Sequence, residues 1–316
     1  MKPPHTNRPG GRPGGGHGQG PRGPGGPPRP AQGGAPGQAR RNGAERDFRP
    51  RQHGSGPRPH GQAHPHGPHP QHAPRPPEAP RGSLWIYGLH AVSAALGNPA
   101  RRLRRLLLTE EAESALARRR PPPWALQAER VDRGRLDHLL GRDVVHQGAA
   151  LLADPLPTPS LQQALERPGP LLVLDQVTDP RNVGAILRSA AAFGAAAVIT
   201  QDRNAPEETG ALAKAASGAL ETMPLLRAIN IARTLVALKA ANIWTVGLDA
   251  GAPPLCGAAL AGRRVALVLG AEGEGLRRLT RETCDELAGL AMPGAMDSIN
   301  VSAAATVALY ELSRRA

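Results

Sequence analysis

The sequence predicts an α/β protein whose C-terminal half is a doubly wound parallel sheet. Three observations carry this. Apolar runs of strand length alternate with segments of helical spacing from Leu171 to Arg315. The runs are continuous, as in Leu171-Leu172-Val173-Leu174, which is the pattern of parallel strands buried on both faces. The composition that resists folding is confined to one end: residues 1–81 hold 20 of the 35 prolines and 18 of the 38 glycines in a chain of 316.

That first quarter is expected to be a disordered arm, because its one aromatic, Phe48, and few apolar groups cannot offset chain entropy. It carries 13 Lys and Arg against 3 acidic residues, whereas residues 82–316 carry 26 against 23. Positive charge on a flexible chain favours phosphate backbones through counterion release; a plain solubilising tail is the other reading. Six histidines lie between His53 and His72, but a proline-rich coil gives them no fixed geometry, so no metal site is expected. No apolar run reaches eighteen residues and the N-terminus has no apolar segment, so neither a membrane span nor a secretory signal is expected. Two unrelated cysteines, Cys256 and Cys284, suit a reducing cytoplasm.

A small α/β unit is expected over residues 82–155. Leu84 to Tyr87 reads as a strand, Leu89 to Leu96 as a helix ended by Gly97-Asn98-Pro99, and Leu103 to Leu108 as a second strand. Glu110 to Arg120 reads as a polar helix, Val131 opens a short segment, and Arg135 to Leu140 forms a helical turn. The basic clusters Arg101–Arg105 and Arg118–Arg120 are either a solvated face or an RNA-contact surface. Asp154 to Pro159 is a proline-rich connector that marks a boundary.

Residues 160–316 form the second unit. Strands are expected at 171–174, 196–200, near 225, 243–248, 265–269 and 287–292, with helices at 182–193, 210–216, 231–240, 275–284 and 301–315. Ligands in such folds sit beyond the C-terminal ends of strands. Three loops qualify. In the first, Asp179 and Asn182 are helix-start residues with Pro180 near the first turn, and Arg188 follows on an otherwise apolar helix, where a buried guanidinium needs a partner or an anion. The second, Gly270 to Gly275, has glycines that allow close backbone approach, yet it is neither G-x-G-x-x-G nor a Walker loop. The rival reading, a nucleotide-dependent oxidoreductase, lacks G-x-G-x-x-G after its first strand and an acidic ribose contact about 20 residues on. The third runs from Met292 to Ser302, where Ser298, Asn300 and Ser302 offer caps or ligand contacts.

Together these loops resemble the signature motifs of the SpoU (TrmH) family of RNA ribose 2′-O-methyltransferases: Asp179-Pro180-x-Asn182-x-Gly184-x-x-x-Arg188, then Leu269-Gly270-Ala-Glu272-Gly273-x-Gly275, then Ser298-Ile-Asn300-Val-Ser302. Lys214-Ala-Ala-Ser217-Gly218-Ala219-Leu-Glu221 resembles a fourth family segment. Ile86-Tyr87-Gly88-x-His90 and His146-Gln147-Gly148 are similar to the substrate-binding domain of the branch that modifies a guanosine of large-subunit (23S) ribosomal RNA. The resemblance covers about residues 84–315.

It implies a trefoil-knotted (SPOUT) sheet, S-adenosylmethionine as cofactor, RNA as partner, a homodimer and a cytoplasmic enzyme. It places cofactor contacts at Leu269, Gly270, Gly273, Leu290, Met292, Ile299 and Ser302, and a catalytic set at Asn182, Arg188, Glu272, Ser298 and Asn300. The family motif has Ser-Leu-Asn where Ser298-Ile299-Asn300 stands, an apolar near-match. Arg188 would either activate the 2′-hydroxyl or, remaining charged as a guanidinium normally does, clamp a phosphate and stabilise a developing alkoxide. A transfer RNA target and a catalytically inactive RNA-binding member are the alternative readings. The small residues Ala303, Ala304, Ala305 and Ala308 suggest close helix approach at a dimer interface.

Overall fold

The computed structural model describes residues 79–204, 206–296 and 298–314. Residues 1–78, which carry nearly all of the basic arm and its histidine-rich stretch, lie outside the described residues. Among the described residues no helix is long and apolar enough to cross a membrane, and no group of three His, Cys, Asp or Glu could hold a metal.

The first unit comprises β1 (Leu84–Tyr87), α1 (Leu89–Leu96), β2 (Leu103–Leu108), α2 (Glu110–Arg119), β3 (Ala128–Arg130), α3 (Arg133–Leu140) and β4 (Ala149–Ala153). Its sheet order is β1-β4-β2-β3, with β4 antiparallel to both neighbours and β2 parallel to β3. Strand periodicity sorts the side chains. Ile86, Leu106, Leu108 and Leu151 face α1 and α2, while Leu107 and Ala150 face Leu136 of α3. The Thr109 side chain caps α2, with Glu110, Glu111 and Glu113 in its first turn and Arg118 and Arg119 in its last, matching the helix dipole.

The second unit comprises α4 (Leu161–Leu165), β5 (Leu171–Leu174), α5 (Pro180–Ala192), β6 (Ala197–Gln201), α6 (Gly210–Ala216), β7 (Leu225–Ala228), α7 (Ile231–Ala240), β8 (Ile243–Leu248), β9 (Arg264–Leu269), α8 (Arg278–Thr283), β10 (Glu286–Ala288) and α9 (Val301–Ser313). Six parallel strands form the sheet β10-β8-β9-β5-β6-β7. Alternate strand residues feed two cores. Leu172, Leu174 and Leu267 pack against α5, α6 and α9, whereas Leu171, Val173 and Val268 pack against α4 and α7. Covering both faces requires the continuous apolar runs seen in the sequence. The first core continues into the small unit, because α6 packs on β1.

Several boundaries differ from expectation. β4, not expected from the sequence, is one of the two interior strands of the small sheet; its Ala-rich sequence has low strand propensity, and pairing on both edges overrides that. α4 is likewise an addition to the expected helices, its start fixed by a full capping box between Ser160 and Gln163. β3 starts at Ala128 rather than Val131. α8 is shorter than 275–284, because Gly275, at φ 68°, turns the chain back to pair with Ala271.

Candidate functional site

Strand order reverses at β5, which has β6 on one side and β9 on the other, so the crevice of the fold opens at their C-terminal ends. Leu174 and Leu269 are register partners, and the loops after them leave side by side. Fully buried Asp175 fastens them. Its carboxylate accepts from Arg277 Nε at 2.8 Å and from the Arg277 backbone N–H at 3.2 Å. Beyond it, Asp179 caps α5 by accepting from the Arg181 N–H, and Pro180 occupies the first turn.

Asn182 is therefore free of capping duty, contrary to one sequence reading. Its Nδ2 donates to Glu272 Oε1 at 2.9 Å. Asn300 Nδ2 donates to the same oxygen at 2.8 Å and also approaches Asn182 Oδ1 at 3.0 Å. The Val301 N–H reaches Glu272 Oε1 at 3.4 Å. One carboxylate oxygen thus gathers a residue from each of the three loops. Asn300 also caps α9, its Oδ1 accepting from the Ser302 N–H at 2.8 Å and hydroxyl at 2.5 Å.

Beside this node lies a 410 Å³ cavity. Leu269, Gly270, Glu272, Gly273, Leu290, Met292, Ser298 and Ile299 line it, as do Leu248, Asp249, Ala250 and Ala304. The β8-end residues Leu248 to Ala250 were missed; their position after a parallel strand was the available signal. A Cβ on Gly270 would collide with the Gly275 backbone, so the close turn that forms the cavity wall admits only glycine there. A larger cavity of 630 Å³ lies at the seam between the units and contains no residue of the three loops. The smaller one is the candidate site because polar groups converge on it.

Two expected members stand apart. Ser302 does not line the cavity; its hydroxyl serves the Asn300 cap. Arg188 is exposed, and among the described residues it has no hydrogen bond or ion pair. The expectation of a buried guanidinium is thereby corrected: position 188 falls on the outer face of α5, while Val183, Ile186, Leu187 and Ala190 take the inner one.

The basic clusters of the small unit are largely committed to structure. Arg101 is buried and bound to Glu208 and Glu221. Burial acts to lower its pKa, but Glu221 and Glu208 outweigh that and hold it above the ordinary arginine value. Arg104 pairs with Asp154, and Arg105 makes two 2.6 Å bonds to Glu129. Arg119 contacts His90 Nε2 at 2.8 Å, and Arg120 donates to the Ser93 carbonyl.

The fourth family-like segment joins the units. Lys214 donates to the Val145 carbonyl, burial pushes its pKa down, and its ammonium lies 5.9 Å from the Tyr87 ring centre. Burial pushes the Tyr87 phenol up, opposed by Arg181. His146, fully buried, accepts the Gly148 N–H on Nδ1 at 3.0 Å, which leaves Nε2 to donate to Asp137 at 2.9 Å.

Both units match known protein families. Residues 169–310 match the SpoU rRNA Methylase family, and residues 85–159 match the family described as RNA 2′-O ribose methyltransferase substrate binding. The chain is 40% identical over 241 residues to the 23S rRNA (guanosine-2′-O-)-methyltransferase RlmB of Escherichia coli K12, covering 73% of this chain and 98% of that one. A crystal structure of an RNA 2′-O ribose methyltransferase superposes with a TM-score of 0.61 at 29% identity, over 74% of this chain and 89% of that chain. The SpoU methyltransferase AviRb from Streptomyces viridochromogenes, solved in complex with the cofactor AdoMet, shares the fold with a TM-score of 0.60 at 23% identity, over 74% of this chain and 90% of that one.

Proposed function

The chain belongs to the SpoU rRNA Methylase family, and from that premise we propose that it methylates the ribose 2′-hydroxyl of a guanosine in 23S ribosomal RNA, using S-adenosylmethionine. The observation that carries this reading is the meeting of Asn182, Glu272 and Asn300 on one oxygen beside the cavity. That arrangement ties the loop of the cofactor wall to the helix that presents Arg188.

The cavity fits the cofactor. Its 410 Å³ is in the usual range for small-molecule sites. Leu248, Leu290 and Ile299 offer apolar contact, the tight turn at Gly270 brings backbone groups to the wall, and Asp249 and Ser298 offer polar ones. When bound, S-adenosylmethionine supplies a methyl group activated by a positively charged sulfur. The protein must position the ribose for in-line attack and manage the hydroxyl proton. Glu272 and the two asparagines hold the loops rigid. Arg188, exposed and without a partner among the described residues, is available to a phosphate or to the developing alkoxide. Ser298 faces the cavity and orients the ribose or the cofactor.

The small unit, residues 82–155, binds the RNA, and the arm adds sequence-independent attraction to phosphate. The protein acts in the cytoplasm as a homodimer with a knotted C-terminal chain. Exposed Val307 and Tyr310 on α9 support an interface there. The alanines of α9 support it less than expected: Ala305 and Ala308 are buried within the chain, Ala304 lines the cavity, and only Ala303 is exposed. The test is transfer of labelled methyl from S-adenosylmethionine to 23S rRNA, with the modified nucleotide mapped. Labelling of transfer RNA alone, or no transfer, would overturn the assignment.

A further inference from the structure

We infer that Arg101 is a positioning residue for the RNA: its guanidinium fixes the substrate-binding unit against the methyltransferase unit, so that the RNA meets a preset surface spanning both. This rests on the reading that the chain methylates RNA through these two units.

Three separate chain segments meet at this one side chain. Arg101 lies between α1 and β2 and its side chain is wholly inaccessible to solvent. From the methyltransferase unit, Glu221 accepts its Nη2 at 2.7 Å and its Nε at 3.1 Å, a two-pronged contact that sets orientation as well as distance. Glu208, just before α6, accepts Nη1. From the connector, the Asp154 carbonyl accepts Nη1 at 2.9 Å, and the Leu156 N–H donates to the other oxygen of Glu208 at 3.0 Å. Asn98 Nδ2 completes the set by donating to Glu221 at 2.8 Å.

Two carboxylates against one guanidinium is a poor arrangement for stability alone, since buried ion pairs seldom outdo apolar packing. It is a good arrangement for specificity, because a displaced unit would leave charges buried and unpaired. The connector would not hold the units by itself: residues 154–159 make no helix or strand. Steric keys act with the ion pairs. A Cβ on Gly218 would press on Ala94 at 2.9 Å, and one on Gly210 would strike the Tyr87 ring.

A preset seam means that RNA binding need not supply the free energy of docking the units. If docking is weakened, bound RNA must restore it, so the loss falls on apparent affinity. Arg101→Lys keeps the charge and loses the fork. Glu208→Gln removes one charge and keeps an acceptor for Leu156. Arg101→Met removes the cation and is the most disruptive; the two milder variants hold the test if it does not fold. Expected for Arg101→Lys is a KM for a 23S rRNA fragment raised about tenfold, kcat at saturating RNA within about twofold, and unchanged S-adenosylmethionine affinity. Amide exchange should quicken in peptides 98–103 and 207–222 and stay unchanged in β5 and β9. Faster exchange with an unchanged KM would overturn the link to RNA. Unchanged exchange in both milder variants would overturn the lock. A fall in kcat at constant KM would move Arg101 into the catalytic machinery and refute positioning. If the unaltered protein transfers no methyl to ribosomal RNA, the functional reading fails, and the exchange measurement still decides whether Arg101 holds the seam.

Discussion

Replacing Glu272 tests whether the three loops act as one device. In Glu272→Gln the side chain keeps an oxygen for the Asn182 and Asn300 amides but loses its charge. Two charge-assisted bonds, at 2.9 and 2.8 Å, become neutral ones. Each such change costs about 1 kcal/mol. Glu272 is solvent-exposed, so screening reduces the pair to about 1 kcal/mol in total. If that energy organises the reactive geometry, turnover falls about fivefold. Glu272→Ala removes the acceptor altogether and releases both amides, together with the 3.4 Å contact from the Val301 N–H. A loss of about 2–3 kcal/mol corresponds to about 30- to 150-fold in rate, the scale on which small misplacements act. Single-turnover transfer of labelled methyl to 23S rRNA, with cofactor affinity from calorimetry, separates chemistry from binding. A glutamine variant as slow as the alanine variant would show that the charge, and not the shared acceptor, is what matters. An alanine variant within about twofold of the unaltered protein would refute the node as part of the site.

Arg188→Ala should lower turnover at least about 100-fold while shifting stability by under about 0.5 kcal/mol, because the side chain is exposed and touches no partner among the described residues; near-normal turnover would remove it from the catalytic set. Gly184→Ala should destabilise the fold by about 1–3 kcal/mol, read as a lower thermal midpoint, since a Cβ there lies 2.5 Å from the Leu212 carbonyl oxygen and 2.7 Å from the Ala215 Cβ; a raised midpoint would mean that α5 and α6 separate freely. Burial pushes the Cys284 thiol up to about 12, so it stays protonated at pH 8, whereas Cys256 is exposed. One thiol per folded chain should react with iodoacetamide at that pH, and rapid labelling of Cys284 would contradict the packing around it.

Much was legible in the sequence for a physical reason. Runs such as Leu171 to Leu174 and Leu267 to Leu269 announce strands buried on both faces, because nothing polar survives there. The glycine turn at Gly270 and the Asn182, Glu272 and Asn300 side chains stand out at strand ends, where a doubly wound sheet places its ligands. Other features were decided only by tertiary pairing. β4 has a weak local pattern and exists because β1 and β2 flank it. The outward position of Arg188 follows from the helical spacing of Val183, Ile186, Leu187 and Ala190, whereas its place beside the other two loops comes from the sheet order. Arg101 belongs to a run of arginines that reads as a solvated or RNA-facing patch, yet it is buried while Arg102 beside it is 82% exposed. Its carboxylate partners lie 107 and 120 residues downstream. Local patterning sets which elements form, but burial of a charge is decided by what long-range folding brings to it, since only a partner of opposite sign makes that burial tolerable.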